Sequence, residues 1–475
     1  MARDAYDAVI VGAGPNGLAA AITLAAAGLS TLVVEAGATP GGGCRSAELT
    51  LPGFVHDPCA AVHPLGVASP YFRTLPLARH GLAWIEPPTP LVHLLNDGRA
   101  VRLERSIAAT AEQFGADAQA YSDLVAPFVE RFDALLPMIL GGPLRWPADP
   151  LLLARFGVYG LRSMQGLARR FAEEPARALL AGIAAHAMVP LDAPATAAFA
   201  LVLTIAAHAV GWPLARGGSQ AIVDALVAHL RELGGELELN HEVAHVSELP
   251  PARAYLFDVS PRRLATITAG RLPSAYLRRL GRFRYGPGVY KLDWALQAPI
   301  PWRDPACARA GTVHLSGSLE AVADTLVHVH RGAVAAEPFV LLAQPTLFDA
   351  GRAPPGMHTA WAYCHVPHGS AIDVGARIEA HVERFAPGFR DVIVARSART
   401  AVDMARYNPN YVGGDINGGL ADLRQLFFRP LVRADPYTTP APDIFLCSSS
   451  TPPGGGVHGM CGHACARSVL ARVFA

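Results

Sequence analysis

Charge is scarce in this chain. Charged residues make up 17% of its 475 positions, against 51% hydrophobic residues, and the formal net charge is +1. Without a clustered basic excess there is no electrostatic footprint for nucleic acid. So apolar a composition also excludes intrinsic disorder. Cysteine is sparse: seven residues, at 44, 59, 307, 364, 447, 461 and 465. An odd number with no framework of short spacings excludes a disulfide scaffold and reads as reduced thiols in a cytoplasmic protein. The chain opens Met-Ala-Arg-Asp-Ala-Tyr-Asp and passes at once into a strand pattern, so we expect no signal peptide.

Residues 193–215 carry no Asp, Glu, Lys or Arg, a length that can span a bilayer. Pro194, His208, Gly211 and Pro213 interrupt the run and leave about 15 helical residues, too few to cross. We expect a buried helix there, lining an apolar pocket.

What the chain does have is length and glycine-punctuated α/β units. At 475 residues it exceeds one ordinary core, so two domains are expected. Residues 7–36 read strand, glycine turn, helix, strand. A helix over 221–233 follows Gly217-Gly218, and buried strands are expected at 254–259 and 443–447, with a closing helix over 457–474. Residues 286–296 and 358–366 alternate in strand fashion. Tyr121, Leu124, Phe128, Phe132, Leu135 and Ile139 predict one amphipathic helix over 117–140. Residues 151–171 are helical, with Arg155, Arg162, Arg169 and Arg170 among apolar residues. That pattern suits a solvated face or contact with a membrane surface.

The strongest motif is Gly12-Ala13-Gly14-Pro15-Asn16-Gly17, answered by Glu35 after the second strand. Gly12 permits a tight turn, Gly14 lets backbone approach a diphosphate, and Gly17 lets helix and strand pack closely. The helix N-terminus offers free N–H groups and the positive end of a dipole. Glu35 can accept hydrogen bonds from ribose hydroxyls. In its full strand–turn–helix context this predicts dinucleotide binding. Two features favour FAD over NAD. Gly41-Gly42-Gly43-Cys44-Arg45 offers bare backbone and a cation to a diphosphate. The terminal strand, glycine loop and helix at 448–459 could face a flavin. No second such fingerprint exists for a separate NAD(P) domain.

These segments, with Gly217-Gly218-Ser219-Gln220, Asn408-Pro409-Asn410, Gly413-Gly414-Asp415 and Pro453-Gly454-Gly455-Gly456-Val457-His458-Gly459, resemble the phytoene desaturase and carotenoid isomerase-like flavoproteins. The likeness is greatest to the pyridine nucleotide-disulphide oxidoreductase domain-containing protein 2 type. It runs along most of the chain and is vaguer between 100 and 210. It implies the α/β two-domain architecture of amine oxidases: a Rossmann-like FAD-binding domain plus a mixed-sheet and helical substrate domain. The expected division is 1–65, 212–265 and 430–475 for FAD, and 66–211 with 266–429 for substrate. The resemblance also implies that Glu35 binds ribose, that Arg45 with Gly42 and Gly43 binds diphosphate, and that Val243 offers backbone to adenine. It sets the loop with Gly455, Gly456, Val457 and His458 against the flavin. Where the family often has Gly-Ala-Gly-Thr, this chain has Ser448-Ser449-Ser450-Thr451, which leaves the substrate open.

Other candidates are weaker. His458, Cys461 and Cys465 could share a helix face, but a zinc site wants a fourth ligand, and no metal is expected. Lys291 and Asp293 would project to one side of a strand. In related amine oxidases a strand lysine meets the flavin through water, whereas an ordinary Lys–Asp pair is the simpler reading. His365 is either a pocket acid or base or a hydrogen-bonded core histidine. The expected function is hydride transfer from an apolar, polyene- or isoprenoid-like small molecule to flavin. A redox-neutral isomerase, an amine oxidase-like enzyme and a flavin-loaded scaffold remain as alternatives. The residues name no electron acceptor.

Overall fold

The computed structural model describes residues 5–142 and 146–475. Two sheets position the site. Their strands, in chain order, are β1 (Tyr6–Val11), β2 (Thr31–Val34), β3 (Thr89–Leu94), β4 (Ala100–Leu103), β5 (Glu236–Glu238), β6 (Ala252–Phe257), β7 (Gly288–Leu296), β8 (Ala310–Leu315), β9 (Val340–Ala343), β10 (His358–Val366), β11 (Ile393–Arg399) and β12 (Ile444–Leu446). The helices that matter here are α1 (Pro15–Ala25), α2 (Ala118–Val129), α3 (Phe132–Ile139), α4 (Pro150–Gly160), α5 (Glu174–Ala184), α6 (Thr196–Val210), α7 (Gln220–Glu232) and α8 (Met460–Val473).

The first sheet has the order β12-β6-β1-β2-β5, and every pairing in it is parallel. Parallel strands need cover on both faces, which is why β2 and β12 are continuous apolar runs, buried at every residue. Its strands are drawn from residues 6–34, 236–257 and 444–446. On one face α1 packs against α7 and α8. The α1–α8 crossing is close because Gly462 has no side chain: a Cβ there would stand 1.7 Å from the Asn16 carbonyl oxygen.

The second sheet is mixed, in the order β11-β7-β10-β9-β8-β3-β4, with β8 parallel to β3 and the other pairs antiparallel. Side chains alternate across it. Leu292 and Trp294 of β7, Val313 of β8, Leu342 of β9 and Ala362 of β10 face a core closed by Ile378, Val382 and Phe385. The opposite face, with Trp361 and Tyr363, turns towards the first sheet and the helices over 107–210. All nine residues of β7 are therefore buried, not only one face.

Two helical expectations are divided. The 117–140 helix is two, α2 and α3, because Arg131 leaves helical geometry at φ −112°, ψ 25°. Pro127 and Pro137 each also remove a main-chain donor. The apolar stripe survives the break, with Tyr121, Leu124, Phe128, Phe132 and Leu135 all buried. The 151–171 stretch divides into α4 and a short helix, Met164–Ala168, restarted by the Ser163 side chain capping the Gly166 N–H. The uncharged 193–215 run becomes α6, 15 residues long. No helix among the described residues is long and apolar enough to cross a membrane.

Candidate functional site

The β1–α1 turn is built around three glycines. Gly12 has φ +103°, a left-handed conformation that costs glycine little. A Cβ on Gly17 would lie 2.0 Å from the Gly12 carbonyl oxygen, so no larger residue fits there. Glu35, at the end of β2, closes the turn from the other side. Its Oε2 accepts the Ala13 N–H at 2.8 Å, and its Oε1 accepts the Gly37 N–H at 2.8 Å and Arg45 Nη2 at 2.9 Å. Arg45 also donates from Nε to the Thr39 carbonyl at 3.0 Å, so this cation is held beside the glycine loop by two partners.

Asp258, following β6, adds a second carboxyl that the motifs did not reveal. Its Oδ2 accepts the Gly17 N–H at 2.9 Å. Burial pushes its pKa up to about 7, against the pull of that hydrogen bond.

A cavity of about 580 Å³ runs from this turn towards the second sheet. Gly12, Gly14, Pro15, Asn16 and Glu35 line its first part. Gly42, Gly43, Arg45 and Val243 join them from the adjoining loops, and Gly456 and Val457 come from the terminal loop. Three of the expected residues lie off the wall. Gly17 is under the turn. Gly455 packs against the 413–419 loop, where its Cβ would lie 2.7 Å from the Asn417 carbonyl oxygen. His458 is buried behind the loop, its Nδ1 accepting the Met460 N–H at 3.1 Å, and burial lowers its pKa to about 4.

The far part of the cavity is walled by the second sheet and the helices over it. Thr312, Leu341, Trp361 and Tyr363 come from β8, β9 and β10. His186, Leu203 and Trp212 come from the helical side. The Trp361 and Tyr363 rings stack at 5.9 Å with an interplanar angle of 5°. Leu203 belongs to α6, so the uncharged helix does reach the cavity.

Lys291 lies one layer behind this wall. Its Nζ donates to Asp293 Oδ1 at 2.6 Å and sits 5.2 Å from the Trp361 ring centre. Its side chain is 2% exposed. It is also the single lysine in a chain whose other 39 cations are arginine, a signal the motif reading passed over. Asp293 lies 3.6 Å from His56 Nδ1, and the neighbouring Asp57 pairs with buried Arg352 at 2.7 Å. Burial, with the cations Lys291 and Arg352, lowers the His56 pKa to about 3, so this imidazole is neutral.

His365 is neither of the two things expected of it. It does not line the cavity, and neither ring nitrogen has a hydrogen-bond partner. It stacks on Phe339 at 5.5 Å, and burial lowers its pKa to about 3. His458, Cys461 and Cys465 do not converge as metal ligands, because the Cys461 thiol is turned to the Thr451 and Gly454 carbonyls. His186, Trp212 and Thr312 were not singled out from the sequence, for no motif surrounds them.

Residues 10–75 match the model of the NAD(P)-binding Rossmann-like domain. The chain is 27% identical to mouse pyridine nucleotide-disulfide oxidoreductase domain-containing protein 2, over 98% of its own length and 93% of the relative's. It is 25% identical to the lycopene-forming phytoene desaturase of a Paracoccus strain, over 97% and 96%. Among solved structures, cyclohexylamine oxidase from Brevibacterium oxydans superimposes with a TM-score of 0.58 at 15% identity, covering 98% of both chains, a likeness of fold. The glycine turn, its acidic partner and the long cavity belong to an oxidoreductase that takes a flavin or nucleotide cofactor. The chain belongs to the phytoene desaturase-like oxidoreductases.

Proposed function

We propose that the protein is an FAD-dependent dehydrogenase of the desaturase type, which takes a hydride from an apolar small molecule. The observation that carries this reading is the continuity of the cavity. One space joins the glycine turn and Glu35 to a wall of Trp361, Tyr363 and Leu341. A nucleotide needs the first part, and a greasy substrate needs the second.

The residues fit FAD. The turn has no room for a Cβ at Gly14, where one would meet Asp258 Oδ2 at 2.8 Å, so backbone N–H groups are left bare towards the cavity. Those groups and the α1 N-terminus would hold the diphosphate. Glu35 would accept the ribose hydroxyls with the lone pairs it does not spend on Ala13, Gly37 and Arg45. Val243 would give backbone to the adenine edge. When bound, FAD supplies the hydride acceptor. The chain's own contribution is to orient the substrate against the aromatic wall and to exclude water. The buried Lys291–Asp293 pair holds charge behind that wall without entering it.

A face for a membrane surface accompanies this reading. On α4, Leu151 and Val158 are 83% and 58% exposed, and Leu161, at its C-terminal end, is 51% exposed. Arg155 and Arg162 are exposed among them. Apolar side chains set between arginines suit the boundary of an anionic bilayer, from which an apolar substrate would arrive. Co-sedimentation with vesicles containing anionic lipid should carry the protein down, and salt should release it.

The reading as a whole is tested by purifying the protein and recording its visible spectrum, then adding polyenes, fatty compounds and amines without oxygen. Flavin bands that bleach with one class support a dehydrogenase and name that class. Bands reduced by dithionite but by no compound would favour the isomerase or the scaffold.

A further inference from the structure

The cavity's far wall backs onto a patch of imidazoles that the proposed chemistry does not use. His93, His314 and His365 are buried, and His186 lines the cavity in front of them. His93 Nδ1, His314 Nδ1 and both nitrogens of His365 have no hydrogen-bond partner. Unpaired buried nitrogens are costly, and several in one patch call for an explanation.

The hydrogen bonds that do exist fix a direction along three of these rings. His93 Nε2 lies 2.7 Å from the Gly317 carbonyl oxygen, which can only accept. The His93 proton is therefore on Nε2, and its Nδ1 keeps a lone pair. His93 Nδ1 and His314 Nδ1 crowd the same point above α5, where a Cβ on Gly182 would meet them at 2.4 and 2.9 Å. A proton on His314 Nδ1 turns an N–H towards the His93 lone pair. The other tautomer would set two lone pairs against each other. His314 Nε2 is then an acceptor, and His186 Nε2, 3.2 Å away, is the donor to it. The last nitrogen of the series, His186 Nδ1, is left with a lone pair and no partner within the protein. Burial lowers the pKa of His93 and of His186 to about 4 and holds His314 well below the usual imidazole value, so all three rings are neutral.

We propose that His186 Nδ1 is a hydroxyl-anchoring site, which accepts a hydrogen bond from an alcohol group on an otherwise apolar substrate. The inference rests on the proposed function in taking the far cavity as the substrate site, and it narrows the substrate class. A pure hydrocarbon would leave the His186 lone pair unmet, and a carbonyl would face it with a second lone pair. A hydroxyl satisfies it and fixes how far along the wall the substrate chain sits. His314 acts as a positioning residue, since its tautomer sets that of His186.

Three probes of one skeleton test this: farnesol, farnesyl methyl ether and farnesene. Trp212 and Trp361 line the cavity, so quenching of tryptophan fluorescence in the purified protein reports binding. Farnesol should bind about tenfold more tightly than the ether or the hydrocarbon. In His186→Leu the three should bind alike, with farnesene affinity and the visible spectrum unchanged. His314→Leu should lose part of the preference. Equal binding of farnesol and farnesene by the native protein would overturn the inference, and so would a preference that survives in His186→Leu. Farnesyl methyl ether binding as well as farnesol would mean that the site donates, which overturns it without any variant. If no probe binds while the flavin bands are present, the apolar substrate reading itself falls and takes the inference with it.

Discussion

The two ends of the cavity are built on opposite plans. At the glycine turn nearly every polar group is answered nearby: Glu35 takes up three donors, and Asp258 holds the Gly17 N–H. At the far wall the polar groups are buried and several are unanswered, among them Trp361 Nε1 and four imidazole nitrogens. The first plan presents backbone to a charged ligand and tolerates no side chain. The second presents ring faces to an apolar ligand and keeps a few polar atoms in reserve. A site that bridges a diphosphate and a greasy molecule needs both.

The largest effect that separates the two plans is expected at Lys291. Lys291→Met leaves Asp293 buried without its cation and should cost about 3–5 kcal/mol in denaturant unfolding. Adding Asp293→Asn to Lys291→Met should recover most of it. If the single variant is as stable as the native protein, the pair behind the wall is not a charged one.

At the other end, Gly462→Ala should cost about 1–3 kcal/mol, because its Cβ would strike the Asn16 backbone and part α1 from α8. Cofactor loading, read from the visible spectrum, should fall with it, since Asn16 lines the cavity. Unchanged loading would show that the turn does not depend on the helix crossing.

The two ends should also answer pH in opposite senses. The Asp258 pKa is raised in the fold from 3.8 to about 7. The stability it contributes is therefore present below about 4 and is lost as pH rises to 7. The His93 and His186 pKa values are lowered from 6.5 to about 4. Their contribution is present above 6.5 and is lost as pH falls towards 4. Asp258→Asn should flatten the first slope, and His93→Gln the second, in unfolding followed across this range. One slope changing with both variants would mean that the ends are not independent.

The smallest effect is expected on the outer surface. Val158→Asn on α4 should change stability by no more than about 0.5 kcal/mol, since the side chain is exposed. It should still weaken sedimentation with anionic vesicles. Undiminished sedimentation would remove α4 from the membrane reading.

How much of this was legible follows from the same contrast. The turn is local: Gly12, Gly14, Gly17 and Glu35 lie within one β–α–β unit, and their spacing states their geometry. The far wall joins His93, His186, His314 and Trp361, carried on separate strands and on the turn after α5, and no spacing along the chain relates them. Asp258 follows a strand that was expected, yet nothing in its neighbours says that it would reach back to Gly17. Lys291 was noticed for its place on a strand, although its being the only lysine was the stronger signal. His365 was misjudged because its Trp-Ala-Tyr-Cys-His context is that of a cavity strand. Trp361 and Tyr363 do line the cavity, and the same alternation carries His365 past its end.

The central claim is that one cavity holds FAD at the glycine turn and an apolar molecule at the far wall. Its most direct test is the visible spectrum of the purified protein under anaerobic titration with apolar compounds. The account predicts flavin bands that bleach on adding an apolar compound and stay unchanged with water-soluble amines. A protein that carries no flavin and cannot be loaded with it would contradict the account.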